Sequence, residues 1–385
     1  MIMYFLFAAV TMALACGYRQ TAYMRSDGFI SRQQMINRII VIALFTLLTG
    51  LAALRIEVGN DYGTYVVTCH EIFQRGYVVT EPGYNLIVRI LYTLSGKEDY
   101  LLMFGVFAAA IAAIILKIIK DQSDSFALSF YIFMTMGLYF KSFNTVRYYF
   151  ALLIAIYSLR YVVDITRKED NRINYENLIK FLLLITLAAT FHKSVLVVIP
   201  MYLFARLKWN RWVYAVMFVA AALLYVFRAQ VMDLALKLYP SYKDTVYVEQ
   251  THSISENYAA IAGCILILIL CIIYYKAAIA DRADNRLYHH LNVMAILMYL
   301  SCSFLPLITR FGYYLITPEI LLVPNIICSI KDEDEKRRVK LAAVVFCALY
   351  FVYFLHIADR VGIRVLPYKS WLFYDHYWLN QTDTF

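Results

Sequence analysis

Long apolar runs alternate with short polar clusters from one end of the chain to the other. The runs cover residues 1–17, 39–54, 100–120, 126–140, 148–163, 177–206, 212–227, 258–275, 287–307, 311–330 and 341–357. A helix needs about 20 apolar residues to cross a bilayer, and in hydrocarbon every backbone polar group must find its partner within the structure. The pattern predicts an all-α, polytopic transmembrane protein of about 10–12 crossing segments.

Some stretches break the pattern. Residues 177–206 are too long for one crossing, are interrupted at Phe191–Ser194 (FHKS), and carry basic residues at both ends (Arg172; Arg206, Lys208 and Arg211). Two half-helices meeting near the outer side fit these facts; such a break is tolerated where it lines a protein-covered or watery cavity. Residues 81–94 (EPGYNLIVRILYTL) are amphipathic, as in a helix lying at the membrane interface. Polar residues concentrate in two inserts, 55–99 and 228–257. The first holds Arg55, Glu57, Asp61, Tyr62, Tyr65, His70, Glu71 and Glu81; the second reads as a surface helix and loop. Residues 331–340 (KDEDEKRRVK) read as a solvated inner turn. Pro318 and Pro324 fall inside the run 311–330, and the tail is rich in interfacial aromatics (Tyr368, Trp371, Tyr374, Tyr377 and Trp378).

Composition fits this reading. The 385 residues are 62% hydrophobic and 16% charged, with mean hydropathy +0.62, against about half apolar and about a quarter charged in a soluble domain. Residues 1–385 are expected to form a single integral membrane domain. The net charge of +9 comes mostly from Lys and Arg clustered in the short inner loops, the positive-inside bias, so nucleic acid need not be invoked. The first apolar run has no basic residue before it, whereas a cleavable leader carries its charge first. It is expected to be a retained helix, with both chain termini outside. Six of the seven cysteines lie in apolar runs and Cys69 lies outside them; there is no CxxC pair and no disulfide framework.

This topology puts Arg55, Asp61, Glu81, Arg147, His192, Lys193 and Arg310 at outer ends of segments or in outer loops. Arginines there run against the charge bias. Guanidinium groups suit bidentate contact with phosphate oxygens, and Asp61 or His192 could take a proton from a hydroxyl. Taken singly, an arginine could snorkel or pair with a carboxylate such as Glu57, His192 could cap a half-helix, and Asp61 could be a turn residue between Gly59, Asn60 and Gly63. Their gathering on one side favours a site. The sequence has no phosphate-binding glycine loop, dinucleotide fingerprint or HExxH, and no GxSxG elbow. The outer loops carry no DxD pair, so neither metal nor cofactor is indicated.

At these residues the chain resembles the EpsG family of bacterial membrane proteins, relatives of the Wzy polysaccharide polymerases. The resemblance lies in RIEVGNDYGTY (Arg55–Tyr65), EPGYNL (Glu81–Leu86), FNTVRYYFALLIAIYSLRY (Phe143–Tyr161) and FHKSVLVVIP (Phe191–Pro200), in that order, with RFGYYL (Arg310–Leu315) in the second half. It implies a polymerase of lipid-linked oligosaccharide repeat units at the outer face of the bacterial inner membrane. Such proteins resemble C-type glycosyltransferases, with undecaprenyl pyrophosphate as leaving group and neither metal nor nucleotide sugar. On that resemblance Arg55, Arg147, Lys193 and Arg310 would hold the pyrophosphate. Asp61 or His192 would be the base, Asp61 first because C-type enzymes favour an acid in the first outer loop. Tyr62, Tyr65, Glu81, Tyr84, Asn144 and Tyr313 would meet sugar, and Tyr239, Tyr242 and Tyr247 would offer stacking faces. A chain-length regulator protein is an expected partner, beside the lipid-linked oligosaccharide and the bilayer. Rival readings are a flippase or transporter for the same lipid-linked sugar, an O-antigen ligase, an acyltransferase using His289 or His290, and a purely structural membrane protein.

Overall fold

The computed structural model describes residues 1–20, 31–165, 173–238, 257–305, 308–360 and 363–373. Among the described residues the chain is helical without a strand. Its helices are α1 (Ile2–Cys16), α2 (Arg32–Ala53), α3 (Tyr62–Arg75), α4 (Pro82–Ser95), α5 (Tyr100–Gln122), α6 (Phe126–Thr135), the single turn α7 (Leu138–Lys141), α8 (Val146–Val163), α9 (Tyr175–Ala189), α10 (Val198–Arg206), α11 (Arg211–Val226), α12 (Arg228–Leu238), α13 (Tyr258–Ile273), α14 (Ala283–Cys302), α15 (Ile308–Ile316), α16 (Glu319–Ser329) and α17 (Glu333–Ile357). The chain is an all-α polytopic membrane protein.

Five of the described segments are long and apolar enough to cross a bilayer: α2, α5, α8, the stretch Ile308–Ser329, and α17. A sixth is added if α11 and α12, bent by 80° at their junction, count as one broken span. The runs 1–17, 126–140 and 258–275 form shorter apolar helices of 15, 10 and 16 residues. These helices, with the half-helices below, take up segments that hydropathy alone counts as full crossings.

The fold has two compact units. The first comprises Met1–Leu153, Leu187–Lys193 and Arg337–Phe385; the second comprises Ile154–Thr186 and Ser194–Lys336. In the first, α2 packs along α5 and α1 along α6, around an aromatic cluster of Tyr4, Tyr139, Phe140, Phe143, Phe351 and Phe354. Such rings bury large apolar areas and pair edge-to-face or offset.

The first outer insert folds as two short helices. On α4, Tyr84, Asn85, Val88 and Tyr92 face inward, while Leu86, Ile90 and Leu94 are 58, 42 and 78% exposed. A four-residue spacing puts those three on one outward stripe, the apolar face an interfacial helix needs. The described end of the tail closes over this insert. Ile56 N–H donates to Lys369 O at 3.0 Å, Gly59 N–H to Arg364 O at 2.8 Å, and Trp371 N–H to Leu54 O at 2.8 Å.

The half-helices expected for residues 177–206 are present. α9 stops at Ala189, a 3₁₀ turn covers Lys193–Val197, and α10 follows; Phe181 on α9 and Tyr202 on α10 stand with ring centroids 6.5 Å apart. Between α15 and α16 the helix breaks at Pro318, which has no N–H to return to the carbonyl of Tyr314. Tyr202 supplies the missing donor, its hydroxyl bonding Tyr314 O at 2.8 Å. Helix α12 opens the second polar insert; Tyr239, Tyr242 and Tyr247 lie outside the described residues, as do Tyr374, Tyr377 and Trp378.

Candidate active site

Three polar side chains from distant parts of the sequence meet in the first unit. Arg147 stands in the first turn of α8, Glu81 is the N-cap of α4, and His192 sits just beyond the end of α9. Arg147 Nη1 lies 2.7 Å from Glu81 Oε2, and Glu81 Oε1 lies 3.6 Å from His192 Nδ1. Thr80 completes the group, its hydroxyl accepting from Arg147 Nη1 and donating to Glu81 Oε2 at 2.9 Å. The three charged or titratable side chains keep 15–23% of their surface exposed, so a solute can reach them.

Local sequence explains how each is held. Pro82 starts α4 at a position where a missing N–H costs nothing. Asn85 closes the preceding loop by accepting from Val78 N–H and donating to Val78 O, both at 3.0 Å. Gly83 lets this helix start touch the turn after α9: its N–H donates to Thr190 O at 2.8 Å. A Cβ there would stand 2.9 Å from that same carbonyl oxygen and 2.4 Å from the Thr190 hydroxyl. The contact brings His192 to Glu81. Tyr148, beside Arg147 on α8, meets the His192 ring edge-on at 5.3 Å.

Below the polar group lies an aromatic floor. The Arg147 guanidinium carbon is 4.9 Å from the Tyr84 ring centre and 5.5 Å from that of Tyr65, within range of the attraction between a cation and a ring face. The backbone N–H of Arg147 donates to the Tyr65 hydroxyl at 3.2 Å. Arg147 Nε is buried with no hydrogen-bond partner, so the residue keeps an unmet donor although one arm is paired. Burial pushes the Glu81 carboxyl up, but the Arg147 guanidinium and the Thr80 hydroxyl outweigh it and hold Glu81 below the usual carboxylate value.

The other expected site residues fall in different places. Tyr62, Tyr65 and Tyr84 are only 6, 5 and 0% exposed. Tyr62 stacks on Phe104 at 4.7 Å and Tyr84 meets Cys69 Sγ at 3.3 Å. Tyr65 and Tyr84 build the floor under Arg147, and all three rings lie buried. Asn144 uses its Oδ1 to accept from Asp61 N–H at 2.9 Å, tying the first insert to the start of α8. Asp61 stands at the N-cap of α3. Gly59 permits this turn: it has φ +100°, and a Cβ would come within 2.6 Å of Phe143 O. Arg55 is 2% exposed. It donates to Ala52 O and to Phe143 O at 3.4 Å, with its guanidinium 4.6 and 5.1 Å from the rings of Phe104 and Phe143. Burial pulls its guanidinium down to about 10. An arginine enclosed like this ties backbone to rings and has no surface left for phosphate. Lys193 is exposed and adjoins His192. Arg310 and Tyr313 lie half-buried on α15, in the second unit.

Thr80, Asn85 and Tyr148 are absent from the residues singled out by sequence. Each is an ordinary polar or aromatic residue near a motif, and only its position beside Glu81, Arg147 or His192 gives it a role.

The EpsG family profile matches residues 38–370. No curated protein matches the chain, and no solved structure does. The match spans the first insert, the Glu81–Arg147–His192 group and the tail as far as Ser370, and it shows that this chain belongs to the EpsG family of Wzy-type, polysaccharide-polymerase-like membrane proteins.

Proposed function

We propose that the chain joins undecaprenyl-pyrophosphate-linked oligosaccharide repeat units at the outer face of the bacterial inner membrane. The observation that carries the reading is Arg147: partly exposed, seated on two tyrosine rings, and joined to Glu81. Guanidinium is the group best shaped for pyrophosphate oxygens.

The reaction asks three things of the protein. The bond from the sugar's anomeric carbon to the pyrophosphate oxygen breaks, and its electron pair stays on the oxygen. The acceptor hydroxyl oxygen bonds to that carbon, and its proton must leave. Arg147 stabilises the charge growing on the departing pyrophosphate, an electrostatic contribution that Lys193 can reinforce. Glu81 already approaches His192. When pyrophosphate takes over Arg147, that carboxylate is freed to hold the imidazole and stabilise its protonated form. His192 is then the base that accepts the acceptor's proton, and Asp61 is the second candidate. The whole scheme rests on residues of the first unit. The positive charge of Arg147 fills the role that a divalent ion fills in other pyrophosphate departures.

The test is the length of lipid-linked glycan in cells making Arg147→Ala at wild-type protein level. Removing one such electrostatic donor slows the chemical step by about 10²–10³-fold, so single repeat units should replace polymer. Normal polymer length would refute the assignment. Repeat units held on the cytoplasmic face would instead indicate a flippase.

A further inference from the structure

The second unit carries a carboxyl group that glycosyl transfer leaves unused. Glu319 is half-buried at the middle of the membrane-crossing stretch Ile308–Ser329, immediately after the break at Pro318. Cys264, in the middle part of α13, lies with Sγ 3.4 Å from Glu319 Oε1. Asn292, midway along α14, is fully buried; its amide donates to Cys264 O at 3.0 Å, and its Oδ1 has no hydrogen-bond partner. Thr317, 2% exposed, also leaves its hydroxyl oxygen without a partner.

Among the described residues no counter-charge acts on this carboxyl. The elements packed on α16 are α13, α14 and the π-helical turn Tyr275–Ile279. From α13 the titratable groups turned toward Glu319 are Cys264 and Cys271. From α14 comes neutral Asn292, and the turn buries Ala278 and Ile279. Among the described residues the groups acting on the carboxyl include no lysine, arginine or histidine; the one polar contact is with Cys264. A bare carboxylate at this depth costs several kcal/mol. The carboxyl itself is short of donors: the one that meets it is a weak thiol, and the Oδ1 of Asn292 is also unmet. A protonated carboxyl is both donor and acceptor. One proton would therefore remove the charge and give the carboxyl a donor of its own.

We propose that Glu319, with Cys264 and Asn292 around it, is a membrane-embedded proton-binding site. Its ligand is the proton itself, taken up and released within the broken crossing of the second unit, separately from the Arg147 group.

The test uses the full-length protein in lipid nanodiscs and a hydrophobic carbodiimide, which modifies carboxyl groups only when they are protonated. Peptide mass spectrometry locates the label. At pH about 7, well above the value of about 4.3 for a free glutamate, Glu319 should be labelled, and labelling should fall as pH rises. Cys264→Ser offers the ionised carboxylate a stronger donor and should move the pH of half-labelling down. Glu319→Gln, an isosteric neutral variant that elutes like wild type, should lose the label and the infrared carbonyl band of a protonated carboxyl. An unlabelled Glu319 at pH about 7 in folded wild-type protein would overturn the proposal. So would protection by sodium chloride but not choline chloride, which would identify a metal-cation site instead.

Discussion

Arg147 and Arg55 show how one residue type takes opposite roles. Arg147 rests on rings at a partly open surface and pairs with Glu81; Arg55 is enclosed between backbone carbonyls and rings. Arg55→Ala should therefore act on stability, by about 2–4 kcal/mol for losing a packed side chain and stranding its carbonyl partners. Thermal unfolding of the detergent-purified protein measures this, and Arg147→Ala should change it far less. Glu81 predicts a pH effect. Its carboxyl is held below the ordinary 4.5, so its contribution is fully present above that value and is lost as pH falls through the lower, folded-state value. Unfolding scans from neutral to acidic pH should show this loss in wild type and not in Glu81→Gln. The same variant leaves His192 without its carboxylate, so polymer should shorten at neutral pH although the Arg147 charge remains.

Among elements, the decisive contact is the start of α4 against the break after α9. Gly83 is the fulcrum, because its N–H bonds Thr190 O while any Cβ would collide with that same residue. Gly83→Ala should push α4 away and separate Glu81 from His192, with the about 1–3 kcal/mol penalty of overpacking. We expect short glycan with near-normal protein level, and Thr190→Ala to restore function only partly, because the backbone oxygen still blocks the methyl. The break after α9 was legible in the sequence, since FHKS interrupts a run too long for one crossing. Its partner was not, because the EPGYN segment lies over a hundred residues earlier and nothing in either motif names the other.

At the scale of the molecule, the chain's last described residues brace its first polar insert. Three backbone hydrogen bonds from the tail meet Leu54, Ile56 and Gly59, Tyr4 donates to Val365 O at 2.6 Å, and Lys369 pairs with Glu57. A chain ending at residue 362 would strand these buried backbone groups at about 1–3 kcal/mol each. Such a protein should show protease cleavage within residues 55–61 and lose polymer, whereas a chain ending at residue 373 should keep its first insert protected. The tail's aromatics look like interfacial anchors in the sequence. Tyr368 instead donates to Leu51 O at 3.0 Å, so it serves packing.

The sequence alone determined the solvent and therefore the class of structure. Runs of Leu, Ile, Val, Ala and Phe this long and this close together leave the backbone only the helix, because hydrocarbon offers no other partner for its polar groups. Sequence also placed Arg147, Glu81 and His192 in their motifs, since polar residues are conspicuous against an apolar chain. Tertiary structure decided which of those residues act together. Pairings across long stretches of chain, such as Glu81 with Arg147 and Asn144 with Asp61, depend on how helices pack, and packing is set by the sum of many small side-chain contacts that no short motif encodes. It likewise buried Arg55 and the tyrosines Tyr62, Tyr65 and Tyr84, of which Tyr65 and Tyr84 support the Arg147 group from beneath.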